Sequence, residues 1–301
     1  MYNILRYIVV LLIGGLLLGW WITRPRPLDP AIYAELTGDV ARGEQVFWAA
    51  GCASCHAAPK AEGDDRLVLT GGLAFETEFG TFHAPNISQS KSAGIGDWRL
   101  IDLANAMQRG VTPGGSHLYP AFPYTTYTRA TPQDVSDLFA YLKTLPADDT
   151  ASLPNDVAFP FNIRRALGAW QWLFLKPEWV VPVEGETLTR GRYLVEALGH
   201  CGECHTPRNA LGGLDTSRWL QGAANPDGKG RIPPITPDKL TWSETDIASY
   251  LATGFTPDYD SAGGQMADVV QNLSHLPESD LKAIAAYLKA VPPGTPTTIE
   301  E

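Results

Sequence analysis

All four cysteines of this 301-residue chain fall into one pattern, used twice. Cys52-Ala53-Ser54-Cys55-His56 is the first copy and Cys201-Gly202-Glu203-Cys204-His205 is the second. Two thiols at this spacing add to the two vinyl groups of one haem, and the adjacent imidazole reaches the iron from the same side. The pattern is the attachment signature of haem c. An all-thiolate zinc site or a pair of redox-active dithiols would use similar cysteine spacings. Neither accounts for a histidine directly after both pairs. The cofactors implied are two covalently bound haems c, held through Cys52, Cys55, Cys201 and Cys204, with His56 and His205 on the irons. A fold that must wrap two haems is built around them. The haem is the greater part of each core, which lets about 100 residues suffice with little secondary structure.

Haem c is attached outside the cytoplasm, so residues 27–301 are expected in the periplasm of a Gram-negative-type cell. The amino terminus agrees. Tyr7 to Ile22 is an apolar run of 16 residues, and extending it back to Ile4 gives 19 with only Arg6 inside. About 20 residues cross a bilayer as a helix. Arg6 can snorkel to the headgroups, and Trp20 and Trp21 sit where an interfacial aromatic belt would be. The run ends in Gly19-Trp20-Trp21-Ile22-Thr23-Arg24-Pro25, which lacks the small residues of a signal-peptide cleavage site. Residues 1–24 are therefore read as an uncleaved, single-pass inner-membrane anchor and 25–37 as a linker.

Residues 1–30 hold three arginines and one aspartate, so the remainder carries −12 of the total charge of −10. This excludes nucleic acid as the main partner, because phosphate neutralisation needs basic surface. An acidic body on a membrane stalk suits a periplasmic redox partner with a basic docking surface.

The motifs lie 149 residues apart, and their surroundings repeat with them. Arg42-Gly43 matches Arg190-Gly191, and Asn86-Ile87-Ser88 resembles Pro234-Ile235-Thr236. Trp98, Asp102 and Gly110-Val111-Thr112-Pro113 match Trp242, Asp246 and Gly254-Phe255-Thr256-Pro257 with identical internal spacing. Ala140-Tyr141-Leu142-Lys143 matches Ala286-Tyr287-Leu288-Lys289. Helices are predicted to open at Thr131-Pro132-Gln133-Asp134 and Pro277-Glu278-Ser279-Asp280 and to end near Pro146 and Pro292. Two homologous haem domains follow, 38–147 and 187–293, each a small all-helical unit, with a C-terminal tail over 294–301. The stretch 148–186 is rich in proline and aromatics and reads as a structured linker packed across both domains. An interfacial membrane contact or a partner-subunit surface is the alternative there.

The halves differ at the sixth ligand. Methionine on the far side of the iron raises the potential of an electron carrier. Met266 lies 12 residues after Gly254, in the expected loop before the last helix, and is read as the ligand of haem 2. The same offset from Gly110 gives Phe122, and counting back from Ala140 gives Pro120, neither of which can ligate iron. For haem 1, His117 is the first candidate, beside Met107, His83 and an open position. His200 and His275 read as ordinary surface or hydrogen-bonded histidines.

Thr70-Gly-Gly-Leu-Ala-Phe-Glu-Thr-Glu-Phe-Gly80, Ala84-Pro-Asn-Ile-Ser88, Leu118-Tyr-Pro-Ala-Phe-Pro-Tyr124 and Gly199-His-Cys-Gly-Glu-Cys-His-Thr-Pro-Arg-Asn209 resemble the cytochrome c subunits of membrane-bound bacterial alcohol, gluconate and fructose dehydrogenases. The resemblance covers nearly all of 38–293 and implies an all-α chain with two tandem cytochrome c-type haem domains after the transmembrane helix. Those subunits typically carry three haems, and their first ligand loop often has methionine where Phe122 stands. The function implied is electron transfer, not catalysis, from a dehydrogenase or quinol-linked donor to a downstream cytochrome, quinone or oxidase. The chain is then a possible dehydrogenase subunit. The alternative is a dihaem peroxidase-like enzyme using an open haem 1, although no acid–base residue can be placed beside that haem from the sequence. A cysteine-ligated thiosulfate-oxidising centre is excluded, because there is no fifth cysteine. A purely structural tether would not need two redox centres.

Overall fold

The computed structural model describes residues 2–226 and 230–293. The expected tail, 294–301, lies outside the described residues. α1 (Tyr2–Ile22) buries none of its 21 residues against the rest of the chain. At 1.5 Å per residue it is about 31 Å long, the thickness of a bilayer's hydrocarbon layer.

The first half runs through α2 (Val40–Ala49), α3 (Cys52–His56), the strands β1 (Ala74–Thr77) and β2 (Gly80–His83), α4 (Leu100–Arg109), α5 (Tyr124–Tyr127) and α6 (Pro132–Leu142). α7 (Leu167–Phe174) lies in the connecting segment. The second half repeats the order: α8 (Glu186–Tyr193), extended by a π-helical turn over Leu194–Leu198, then α9 (Cys201–His205), β3 (Ala223–Ala224), β4 (Arg231–Ile232), α10 (Glu244–Thr253), α11 (Gln265–Leu273) and α12 (Glu278–Ala290). The expected helix openings hold: α6 is capped by the Thr131 hydroxyl, which accepts from the Asp134 amide at 3.1 Å, with Pro132 in its first turn.

The expectation of purely helical units needs amendment. β1 and β2 form an antiparallel hairpin in which Ala74 faces His83 and Thr77 faces Gly80. Gly80, at φ +128°, makes the turn possible. Asp156 of the connecting segment extends the pairing, exchanging two backbone bonds of 2.9 Å with Thr81. A shorter antiparallel pair, β3 with β4, stands at the matching place in the second half.

Each half is closed by a helix crossing at a glycine. Where α2 meets α6, a Cβ on Gly43 would run into the Asp137 carbonyl and Tyr141 Cβ. Where α8 meets α12, a Cβ on Gly191 would run into the Ala283 carbonyl and Tyr287 Cβ. An arginine beside each glycine ties the crossing. Arg42 Nε donates to Asp137 at 2.8 Å, and Arg190 donates to Asp280 at 2.9 and 2.6 Å. Asp137 is fully buried and also accepts from the Asp39 amide (2.7 Å) and Gln133 (2.8 Å). Burial pushes its carboxyl up, but Arg42 and the other two donors outweigh that and hold it below the usual carboxylate range.

The apolar residues of both halves join in one cluster, from Phe47, Leu138 and Leu142 to Leu194, Val195, Ile284 and Leu288. The connecting segment is fastened to both. Beyond the Thr81–Asp156 pairing, the buried carboxylate of Glu196 accepts from the amides of Val180 (2.6 Å) and Val181 (3.1 Å) and from the Tyr287 hydroxyl.

Candidate functional site

The two Cys-x-x-Cys-His segments are built alike. α3 begins after Gly51 at φ +67° and α9 after His200 at φ +43°. Each histidine carbonyl accepts from a glycine amide, Gly71 or Gly222, at 2.7 Å. Each histidine ring donates Nδ1–H to a proline carbonyl, His56 to Pro85 at 2.8 Å and His205 to Pro233 at 2.7 Å. That bond fixes the tautomer, leaving Nε2 with its lone pair as the free donor atom. The proline carbonyls are in place because the following residues are pinned in both halves: Ile87 N–H donates to Leu69 O (3.0 Å) and Ile235 N–H to Leu220 O (2.9 Å).

Burial lowers the affinity of His56 and His205 for a proton, which keeps both imidazoles neutral. It pushes the thiols of Cys52, Cys55 and Cys201 up to about 12 and raises that of Cys204 as well. Such thiols are poor thiolates, which argues against a redox dithiol. Among the described residues no group of three or more His, Cys, Asp or Glu side chains converges as a metal site. A free, neutral imidazole Nε2 one residue after a pair of half-buried, unbonded cysteines fits haem c in both halves.

The two segments adjoin, and each is covered by the other half. Thr125 and Thr126 of α5 donate their hydroxyls to Glu203 in the second segment, at 2.9 and 2.8 Å. Asn272 of α11 donates to Ser54 in the first, at 2.5 Å, and accepts from the buried Arg66 at 3.0 Å. Ser54 and Glu203 hold the same place in their motifs, so the contact is reciprocal. Burial raises the Glu203 carboxyl, but Arg208 at 2.6 Å and the two hydroxyls outweigh that and keep it low. His275 also crosses the junction, stacked at 3.8 Å on Trp48. Sequence reasoning missed these contacts; the shared motif position of Ser54 and Glu203 was the one available signal.

The loops that follow α4 and α10 also repeat. Gly110 (φ +58°) and Gly254 (φ +79°) end α4 and α10 in the left-handed region. Gly110 O accepts from Leu118 and Gly254 O from Ala262, both at 2.7 Å. Val111 bridges to His117 as Phe255 bridges to Ser261. Five residues further on stand Phe122 and Met266. The offset counted from the glycine is therefore the structural one, and the count from Ala140 slips because α5 is a shorter helix than α11. Met266 was expected in a loop; it lies in the first turn of α11, which Gly264 at φ +56° initiates, partly buried against the core. Phe122 packs on Tyr127, ring centres 5.5 Å apart.

His117, the first candidate for haem 1, has one ring nitrogen engaged by the backbone and the other, Nδ1, without a hydrogen-bond partner among the described residues. It is buried, and its Nε2 bonds to the Thr23 carbonyl at 2.9 Å, at the end of α1. His83 Nδ1 donates to the Pro154 carbonyl at 2.9 Å. Met107 is 3% exposed, within the core on α4.

Residues 40–146 match the family model for cytochrome c. A diheme cytochrome c-type protein of Cereibacter sphaeroides is 60% identical over 277 residues, 91% of this chain and 93% of that protein. The cytochrome subunit of fructose dehydrogenase from Gluconobacter japonicus is 38% identical over 92% of this chain, which spans 57% of that subunit. The cytochrome c subunit of gluconate 2-dehydrogenase from Pantoea cypripedii is 35% identical over 84% of this chain, which spans 59% of it.

Proposed function

Because the chain belongs to the dihaem c-type cytochromes and carries covalently bound haem c, we propose that it is a membrane-anchored electron-transfer subunit working in the periplasm. α1 is its single span of the inner membrane. Residues 38–147 and 187–293 are its two haem domains. The observation that carries the reading is the duplicated imidazole geometry, with His56 and His205 held alike by proline carbonyls directly after their cysteine pairs.

Bound haem supplies a reversible one-electron couple. The chain supplies the rest. Cys52 with Cys55, and Cys201 with Cys204, are the thioether sites. Proline carbonyls orient His56 and His205 and strengthen them as ligands. Met266 would hold the second iron from its thioether and would raise the potential of that couple. In the first domain Phe122 stands at the corresponding place. We assign His117 to the attachment of α1, because its Nε2 is committed to Thr23. The dehydrogenase subunits among the relatives support a dehydrogenase as donor, and the acidic body suits a partner with a basic docking face. A downstream cytochrome, quinone or oxidase takes the electrons on.

Phe122 also favours a second reading, a small-molecule-binding haem 1 with peroxidase-like chemistry. Spin state and carbon monoxide uptake of the purified protein separate the two, together with a potentiometric titration. Two low-spin haems inert to carbon monoxide, at distinct potentials, support pure electron transfer. A high-spin haem that takes up carbon monoxide and turns over peroxide moves the assignment to the second reading.

A further inference from the structure

The stretch from Phe159 to Leu175, which includes α7, braces both halves on its inner side, where Gln171 donates to the Arg109 carbonyl at 3.0 Å and Trp170 to the Leu211 carbonyl at 2.8 Å. It is fastened to the end of α1. Arg165 donates from Nη2 to the Trp20 carbonyl at 2.8 Å and from Nε to the Thr23 hydroxyl at 3.0 Å. Its guanidinium lies 5.6 Å from the centre of the Trp20 ring. His117 reaches the Thr23 carbonyl from the first haem half. Gly168 packs against Thr23 so closely that a Cβ there would collide with the Thr23 backbone. Carbonyls in the last turn of a helix need partners, and here the body of the protein provides one of them. The level of this stretch relative to the end of α1 is thus set by hydrogen bonds and close packing, not by a loose tether.

Its outer face is apolar and uncovered. Phe159 is 77% exposed, Trp172 60%, Phe161 49%, Ile163 46% and Leu173 43%. On α7, Trp172 follows Gly168, which packs on Thr23, by four residues, about one helical turn, and so shares the side that meets α1. The charges agree with the apolar pattern. Arg164 and Arg165 are the only charged residues in 159–175, Arg24 and Arg26 flank the helix end, and neither 159–175 nor 20–28 contains a carboxylate. Elsewhere the body is strongly acidic and would be repelled by anionic headgroups. Large aromatics with arginines at the end of a membrane helix have the composition of an interfacial segment.

We propose that Phe159–Leu175 is a membrane-seated platform. Its aromatic face enters the headgroup layer of a phospholipid bilayer containing anionic lipid, beside the point where α1 emerges, and it holds the haem body at one fixed orientation to the membrane. The proposal rests on the reading of α1 as a membrane span. The occupant is lipid, because the stretch is tied to the end of α1 through Arg165 and Gly168 and carries only positive charge.

The test uses the full haem-loaded chain in phosphatidylcholine vesicles, with and without phosphatidylglycerol, doped with a phospholipid bearing a photoactivatable diazirine on its acyl chain. Insertion sites are mapped by peptide mass spectrometry. The expected result is labelling of α1 in both vesicles and labelling of 159–175 that rises with anionic lipid, by roughly fivefold for each arginine brought to the surface. A Trp172→Glu, Leu173→Glu double variant is expected to lose roughly tenfold of the 159–175 signal while α1 labelling and the haem spectrum stay unchanged. Labelling of α1 alone overturns the platform and leaves the anchor standing, and it is the result to expect if that face is reserved for another protein. Labelling of neither segment overturns the anchor reading and the platform with it.

Discussion

His56 and His205 present their rings in the same way, through proline carbonyls at 2.8 and 2.7 Å, and the loops after the glycine caps of α4 and α10 make the same bridges. Five residues past those bridges one half has Phe122 and the other Met266. The two halves share the backbone bonds that hold the motif histidines and differ in the side chain at the matched position of the loop. On the proposed assignment of Met266 as a ligand, attachment geometry is common to both, the sixth position hangs on a single residue, and one substitution separates the two centres. A methionine that lowers the energy of the reduced iron in one half only gives two unequal couples in one chain.

The largest effect that would break this comparison is expected from Met266→Ala. It should lower the potential of one haem, remove the methionine-to-iron charge-transfer band and add one carbon monoxide site per molecule over wild type. A variant with unchanged potentials would show that Met266 is core filling. Phe122→Met is the converse and a smaller one, because the pocket beside Tyr127 must accept a flexible side chain. It should raise the lower potential toward the higher and close any carbon monoxide site on haem 1. If both changes behave as expected, the asymmetry of the two halves reduces to this pair of residues.

The Cys-x-x-Cys-His segments, the repeat and the openings of α6 and α12 were legible because each depends on neighbours a few residues apart. Thr131 caps its own helix, and Gly43 and Gly191 sit in repeated words. Met266 was read in a loop and lies in a helix, since Gly263-Gly264 reads as a loop when nothing shows that a helix starts on its second glycine. The strands β1 and β2 are four residues each and depend on Asp156, far along the chain. The partner of His117 lies 94 residues away at Thr23, a distance at which no periodicity or spacing carries information. Long-range polar contacts of this kind are chosen by packing, and the sequence shows only that a polar residue is available.

The two helix crossings sharpen the comparison from the side that is shared. Gly43→Ala and Gly191→Ala each drive a methyl into a carbonyl of the facing helix. Each should cost about 1–3 kcal/mol or more, and the two should cost alike. A much smaller penalty at one would mean that its crossing relaxes, and thermal denaturation followed by circular dichroism reads both. Asp137→Asn comes next and is smaller, at about 1 kcal/mol, because the buried acceptor of the Asp39 amide and Gln133 loses its charge while the exposed Arg42 turns to water. It also has a pH signature. The Asp137 carboxyl is held below the usual range, so its contribution is fully present above ordinary carboxylate values, about pH 4, and is lost as pH falls through the lowered folded value. The wild type should therefore lose stability on the acid side more steeply than Asp137→Asn. Parallel acid limbs for the two proteins would remove Asp137 from the account.

The smallest expected effect tests whether the junction between the halves is as reciprocal in energy as it is in position. Ser54 and Glu203 are matched residues, yet Ser54 offers a hydroxyl to Asn272 while Glu203 offers a carboxylate to Thr125 and Thr126. Hydrogen bonds to a charged acceptor are the stronger kind, and a carboxylate taken from water loses more when a donor is removed. Arg208 and Thr125 remain on Glu203 in a Thr126→Ala variant, which limits the loss to about 1 kcal/mol. Ser54→Ala should cost less, about 0.5 kcal/mol, because Asn272 keeps its bond from Arg66. Chemical denaturation of the two variants with haem bound measures the difference directly. A larger loss at Ser54 would mean that the first attachment segment depends on its cover from α11 more than the second depends on α5. The junction would then lean toward the half that has Phe122 in place of Met266, and the asymmetry would extend from that pair of residues to the packing between the halves.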